Sequence, residues 1–222
     1  MDIVLIVMLG IAGTAVGFKL SDFAQTLALY KCRKKEMELP DNQHYYSAYI
    51  KLILCVLNGA VWALSGIFSE HFMVAVLISF LFSTAVLITI IDLRIRIVPN
   101  ELLLVMVVAG LTFQAVQFGL TAVLISVLCM LGMMVFFSVV AGMVGFDKVG
   151  AGDVKLAGAM GLALGYPNII TALIIMCAVF LIFSAVGLIL RKLTLKTMLP
   201  FAPFMMIGMV FSLAYIVMQL PQ

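Results

Sequence analysis

Residues 145–165 read GFDKVGAGDVKLAGAMGLALG, a glycine-spaced loop that delivers the carboxylate of Asp153 into an otherwise apolar helix. Ionising a carboxylate inside hydrocarbon costs several kcal/mol, so an acid in such a segment faces a polar cavity and is functional more often than not. Gly150 and Gly152 flank Ala151 just ahead of it. Residues without a Cβ let a backbone turn tightly or lie against another chain or a substrate. A helix that begins near Asp153 lets the carboxylate cap free backbone N–H groups at the positive end of the helix dipole. In a soluble protein the same pattern would read equally well as an acid capping a helix after a glycine turn. The setting of the stretch decides between the two.

That setting is a membrane. Of 222 residues 65% are hydrophobic and only 10% charged, and the mean hydropathy is +1.28. This is more apolar surface than a soluble domain of that size buries, so the chain is expected to be an all-α polytopic membrane protein. Its 17 Gly and 16 Met suit packed membrane helices, because small residues let helices approach and Met fills irregular gaps. Cys32, Cys55, Cys129 and Cys177 lie far apart without a C-x-x-C pair, so neither a disulfide framework nor a zinc site is indicated. His44 and His71 have no partner at metal-ligand spacing, and nothing points to a nucleic-acid partner.

Working outward along the chain, Asp2 to Phe18 is apolar with its cations behind it, the reverse of a secretory signal, and reads as a retained anchor. Residues 19–46 hold Lys19, Lys31, Arg33, Lys34 and Lys35 followed by Glu36, Glu38 and Asp41, and read as a cytoplasmic loop. Within it Ser21 is placed to cap a short interfacial helix, with a solvated loop as the alternative. Ser47–Gly66 and His71–Ile91 are the next two spans, joined by a tight outer turn. Pro99 suits the first turn of a fourth span that runs to about Phe118, since that position needs no N–H partner. Gly119 to about Gly142 is the fifth. A helix over Asp153–Gly165 reaches roughly 20 Å against a hydrocarbon core of roughly 30 Å. It therefore starts recessed below the inner surface, with a small-residue stripe of Ala157, Gly161 and Gly165 for close packing. Ile169–Leu190 and about Phe201–Leu220 complete eight spans with both termini outside. In this arrangement all 13 Lys and Arg lie on or near the cytoplasmic face. We divide the chain into an N-terminal helical pair, 1–70, and a six-helix core, 71–222.

Asp92 and Asp153 then sit at the inner ends of spans on the same side, where helix packing can bring them together. Two carboxylates a few ångström apart cannot both ionise cheaply and share one proton. The charged member takes a proton from water while the protonated member donates to a scissile carbonyl, which is the aspartic-protease requirement and needs no metal. The plainer reading is boundary ion pairing, Asp92 with Arg94 or Arg96 and Asp153 with Lys148 or Lys155. Arg94, Arg96 and Lys155 are sufficiently explained as inside-facing topology signals. Glu101 reads as a first-turn dipole partner and Asp147 as an exposed loop acid.

Three segments resemble the type IV prepilin peptidase family, bacterial relatives of the GxGD intramembrane aspartyl proteases. Asp92 and the following Arg96-Ile-Val-Pro-Asn100 resemble the first catalytic aspartate and its I-P-N tail. Gly150-Ala-Gly-Asp-Val-Lys-Leu156 resembles the GxGDVKL segment with the second, and Pro200-Phe-Ala-Pro-Phe204 the stretch opening the last helix. The resemblance implies Asp92 and Asp153 as the catalytic pair. It further implies Gly150, Gly152, Pro99, Asn100 and Lys155 as residues that shape the loops or meet substrate. It also implies cleavage, after a glycine, of the basic leader of prepilins or pseudopilins at the cytoplasmic face of the bacterial inner membrane. No cofactor is then needed for proteolysis. Bifunctional members also methylate the new N-terminus with S-adenosylmethionine, but their first loop is larger and often carries paired C-x-x-C motifs, whereas this loop has the single Cys32. By charge, the basic leader would meet Glu36, Glu38 or Asp41. A proton-coupled transporter using the paired acids and a non-catalytic pilus-assembly protein are the alternatives.

Overall fold

The computed structural model describes residues 2–37, 48–69, 71–144, 150–192 and 199–219, and all regular structure among them is α-helical. The helices are α1 (Ile3–Lys34), α2 (Ala48–Phe68), α3 (Phe72–Ile95), α4 (Asn100–Phe118), α5 (Leu120–Val144), α6 (Ala151–Leu164), α7 (Asn168–Ile189) and α8 (Ala202–Gln219). All but α6 are long and apolar enough to cross a bilayer, so the chain is a polytopic helical membrane protein. The expected spans are found with ends shifted by a few residues, except in α1. His44, Glu38, Asp41, Asp147 and Lys148 lie outside the described residues.

The short α6 is the centre of the bundle. Its 14 residues reach about 21 Å, and every side chain from Leu156 to Leu164 is buried. A helix apolar all round must be enclosed by others, and α6 packs on α4, α5, α7 and α8. It is thus shielded from lipid by protein, which is how a helix too short for the hydrocarbon is accommodated. The small-residue stripe does what its spacing predicts against α5: a Cβ on Gly161 would lie 2.9 Å from the carbonyl oxygen of Cys129. At the far end of α6, buried Gln114 of α4 donates from Nε2 to the Ala163 carbonyl at 2.9 Å, satisfying an acceptor of the last turn.

Around this centre α3 and α8 are the most buried spans, whereas α5 and α7 present most of their surface outward. The N-terminal pair α1–α2 packs on α3. Lipid tails are as apolar as Leu, so buried polar contacts rather than hydrophobicity fix such interfaces. Here Trp62 Nε1 donates to Ser83 Oγ at 3.0 Å, Ser83 Oγ donates to Asn58 Oδ1 at 2.7 Å, and Ser65 and Ser79 hydroxyls lie 2.6 Å apart.

The expected loop at 19–46 is corrected in its first half. Instead of ending near Phe18, α1 runs unbroken for 32 residues, and Ser21 is buried inside it rather than capping a shorter helix. The reason is a second apolar seam: Leu20, Ala24, Ala28 and Cys32 recur every four residues and join the main core. Lys19, which looked like a boundary, stays exposed with its ammonium 5.9 Å from the Phe18 ring centre. At about 48 Å the helix outreaches a hydrocarbon core of about 30 Å, and its last turns stay packed, with Ala28, Lys31 and Cys32 buried.

Gly161→Leu is expected to force α5 and α6 apart and lower stability by about 1–3 kcal/mol. Gly132→Leu, at an exposed position of α5 where an added Cβ meets nothing within 4 Å, should leave it unchanged. Thermal unfolding in detergent of the two variants beside the parent protein measures the difference.

Candidate active site

One end of the bundle collects the end of α3 and the starts of α4, α6 and α8, with the end of α1 beside them. Between them opens a cavity of about 610 Å³. Asp92 and Asp153 both line it, and so do Gly150, Gly152, Asn100 and Lys155. Pro99 is buried at the cap of α4, and its carbonyl receives the N–H groups of Leu102 and Leu103. It shapes the loop without lining the cavity.

Asp92 occupies the last turn of α3. The helix ends at Arg96, which adopts the left-handed conformation (φ 52°, ψ 41°) and donates its backbone N–H to the Asp92 carbonyl at 2.9 Å. That conformation costs a residue with a Cβ about 1–2 kcal/mol. It turns the chain sharply, so that Ile97 and Val98 run along the cavity wall toward Pro99. Asp92 is only 4% exposed, and its Oδ2 has no hydrogen-bond partner among the described residues. Its carboxylate faces three electrostatic neighbours: Asp153, the backbone N–H of Ala202 at the start of α8, and Arg96.

Asp153 is held by the glycine loop. The backbone N–H of Gly150 donates to Asp153 Oδ2 at 3.2 Å, while the Asp153 N–H donates to the Gly150 carbonyl at 2.9 Å. The carboxylate is thereby fixed to the first turn of α6, where the helix dipole favours negative charge. Gly152 lets α6 approach the loop after α3, since a Cβ there would lie 3.2 Å from Val98 Cβ. Of the two acids Asp153, half-buried, is the more accessible.

Of the expected boundary ion pairs, those of Asp92 with Arg96 and of Asp153 with Lys155 are not formed. Neither Arg96 nor Lys155 makes a salt bridge to Asp92 or Asp153; Lys155 instead donates from Nζ to Asn100 Oδ1 at 3.3 Å, tying the start of α6 to the start of α4. Lys148 lies outside the described residues. Glu101 is more than a dipole partner, because both its carboxylate oxygens hold Lys31 of α1, at 2.6 and 2.7 Å.

Several residues of the site were not read as such from the sequence. Lys31, Lys34 and Lys35 line the cavity together with Arg96, Leu199, Pro200 and Phe201. The signal available for the lysines was the Leu20–Cys32 seam, which continues α1 toward them. Arg96 carried a signal only in hindsight, as the stop of α3. What the assembly offers chemically is two acids lining one cavity large enough for water and a peptide segment, one buried and one reachable.

A water-soluble carbodiimide with an amine nucleophile is therefore expected to couple to Asp153 well before Asp92, as read by peptide mass after digestion. Equal rates at the two positions would contradict the burial difference.

The type IV leader peptidase family matches residues 79–188. The match takes in both aspartates, the turn through Pro99 and Asn100, and the glycine loop; it leaves out α1 and the Pro200–Phe204 segment. Neither the curated proteins nor the solved structures gave a match. By residues 79–188, the segment that carries both acids of the cavity, the chain belongs to the type IV leader peptidase family.

Proposed function

We propose that this protein hydrolyses the leader of prepilin or pseudopilin precursors at the cytoplasmic face of the bacterial inner membrane, with Asp92 and Asp153 as a two-aspartate catalytic pair. The observation that carries this reading is that carboxylates from α3 and α6 open into one cavity at one end of a membrane bundle. Family membership supports peptidase activity in general. Substrate identity and the division of the chain into an accessory pair, 1–70, and a catalytic core, 71–222, are parts of the same proposal.

The pair holds one proton between two carboxyl groups, because like charges so close do not both ionise. A substrate chain lies across the opening with its scissile carbonyl between them. The ionised carboxyl removes a proton from water as the oxygen attacks the carbonyl carbon, and the protonated one donates to the carbonyl oxygen. Collapse of the tetrahedral adduct breaks the C–N bond, and the leaving nitrogen takes up a proton from the pair. The products are a new carboxyl terminus and a new amino terminus. The Ala202 N–H beside the Asp92 carboxylate acts as a preorganised backbone dipole. Methylation of the released N-terminus would be a second reaction, with S-adenosylmethionine as donor, and is scored separately by adding that donor to the cleaved product.

Transport would favour acids near the midplane with access from both faces. The cavity instead sits at the helix ends, beside Lys31, Lys34, Lys35, Arg96 and Lys155. A cationic end is the inside end by the charge bias of membrane loops.

Membranes carrying the parent protein should cut a prepilin leader, seen as a mass shift, while Asp92→Asn and Asp153→Asn at equal expression should lose cleavage by 10³-fold or more, as when a triad member is removed (roughly 10³–10⁶-fold). Ala202→Pro is a finer probe. Proline is accepted at the first helical position, so the variant keeps α8 and deletes only the N–H facing Asp92. It should slow cleavage about tenfold, the value of one hydrogen bond to a charged group. Wild-type rates in either Asn variant would sink the two-aspartate mechanism.

A further inference from the structure

Resting on the proteolytic reading above, we propose that the last two turns of α1 are a fixed wall of the substrate cavity, clasped there by the Lys31–Glu101 ion pair, and that Lys31 and Glu101 are positioning residues for substrate seating. Two independent observations converge on it. The first is the seam: Ala24, Ala28 and Cys32 are almost completely buried in the main core. The end of α1 is therefore packed down rather than free. The second is the ion pair, which joins residues 70 apart in sequence through both oxygens of one carboxylate.

Its burial sets its weight. Lys31 keeps only 11% of its side chain exposed while Glu101 keeps 52%, so the pair is neither a fully solvated surface contact nor a dry one. Exposed pairs contribute little; pairs with one desolvated member contribute more because the buried charge is stranded when its partner is removed. Glu101 also stands next to Asn100, which receives Lys155 from α6. The first turn of α4 thus links α1 to the helix bearing Asp153. Losing the clasp frees the wall that carries Lys34 and Lys35 toward the cavity, while Asp92 and Asp153 keep their own supports on α3 and α6. The cost should fall on substrate binding and spare the chemical step.

The test uses the full-length protein in nanodiscs, with a peptide spanning a leader junction and with hydrogen–deuterium exchange over residues 30–37. Glu101→Gln and Lys31→Met should each raise KM about tenfold and leave kcat within about twofold, with faster exchange at the end of α1. The charge-exchanged double variant Lys31→Glu/Glu101→Lys should bring both exchange and KM back toward the parent values, which a merely space-filling role for Lys31 does not predict. Glu101→Gln is nearly isosteric, so it reports even if Lys31→Met fails to fold. Unchanged exchange in the folded single variants contradicts the clasp. Exchange that is restored in the double variant without recovery of KM contradicts the role in seating. A parent protein that cuts no leader peptide overturns the proteolytic reading, and the substrate wall with it.

Discussion

A carboxylate inside a bilayer has to meet water, and the architecture follows from that requirement. Asp153 enters on a helix that is too short to cross and too apolar to stay in water, so it has to be wrapped by neighbours on every side. Wrapping it brings the ends of α3, α4 and α8 to the level of its first turn, and the space left between them is the cavity. Gly152 helps make this possible, because a Cβ there would crowd the Val98 side chain at 3.2 Å. Asp92, nearly sealed, and Asp153, half-open, are then two acids of one family held in different surroundings. Unequal surroundings are what allow one of two like carboxyl groups to hold the shared proton.

Much of this was legible in the sequence because hydrophobicity and glycine spacing are local signals. The extents of α3, α4, α5 and α7 follow from runs of apolar residues closed by charges, Gly or Pro. The shortness of α6 follows from the glycines that bound it, and the opening of Asp92 and Asp153 into one cavity from parity and motif. The end of α1 was misread because Lys19 and the following polar residues look like a boundary, while the four-residue seam from Leu20 to Cys32 is a packing signal that makes sense only against α3. Gln114 on the end of α6 and the Ala202 amide before Asp92 were invisible for the same reason. Each is a contact between distant segments, and no single-residue property announces it.

The family segment and the N-terminal helices meet at Glu101. Residues 79–188 hold the aspartates and their loops, but the cavity is completed on one side by α1 and on another by Leu199–Phe201, both outside that segment. The walls of the opening and the neighbours of the acids thus come from both inside and outside that segment, with Ile97, Val98 and Asn100 within it and Ala202 beyond it.

The central claim is that water, activated by the two acids, attacks the substrate directly. Single-turnover cleavage in heavy-oxygen water, with the new carboxyl terminus of the leader weighed by mass spectrometry, tests it most directly. The account predicts one heavy oxygen in that carboxyl group on the first turnover. A first-turnover product carrying only ordinary oxygen, with the label appearing on Asp92 or Asp153 afterwards, would mean that an enzyme carboxylate attacks as the nucleophile and would contradict it.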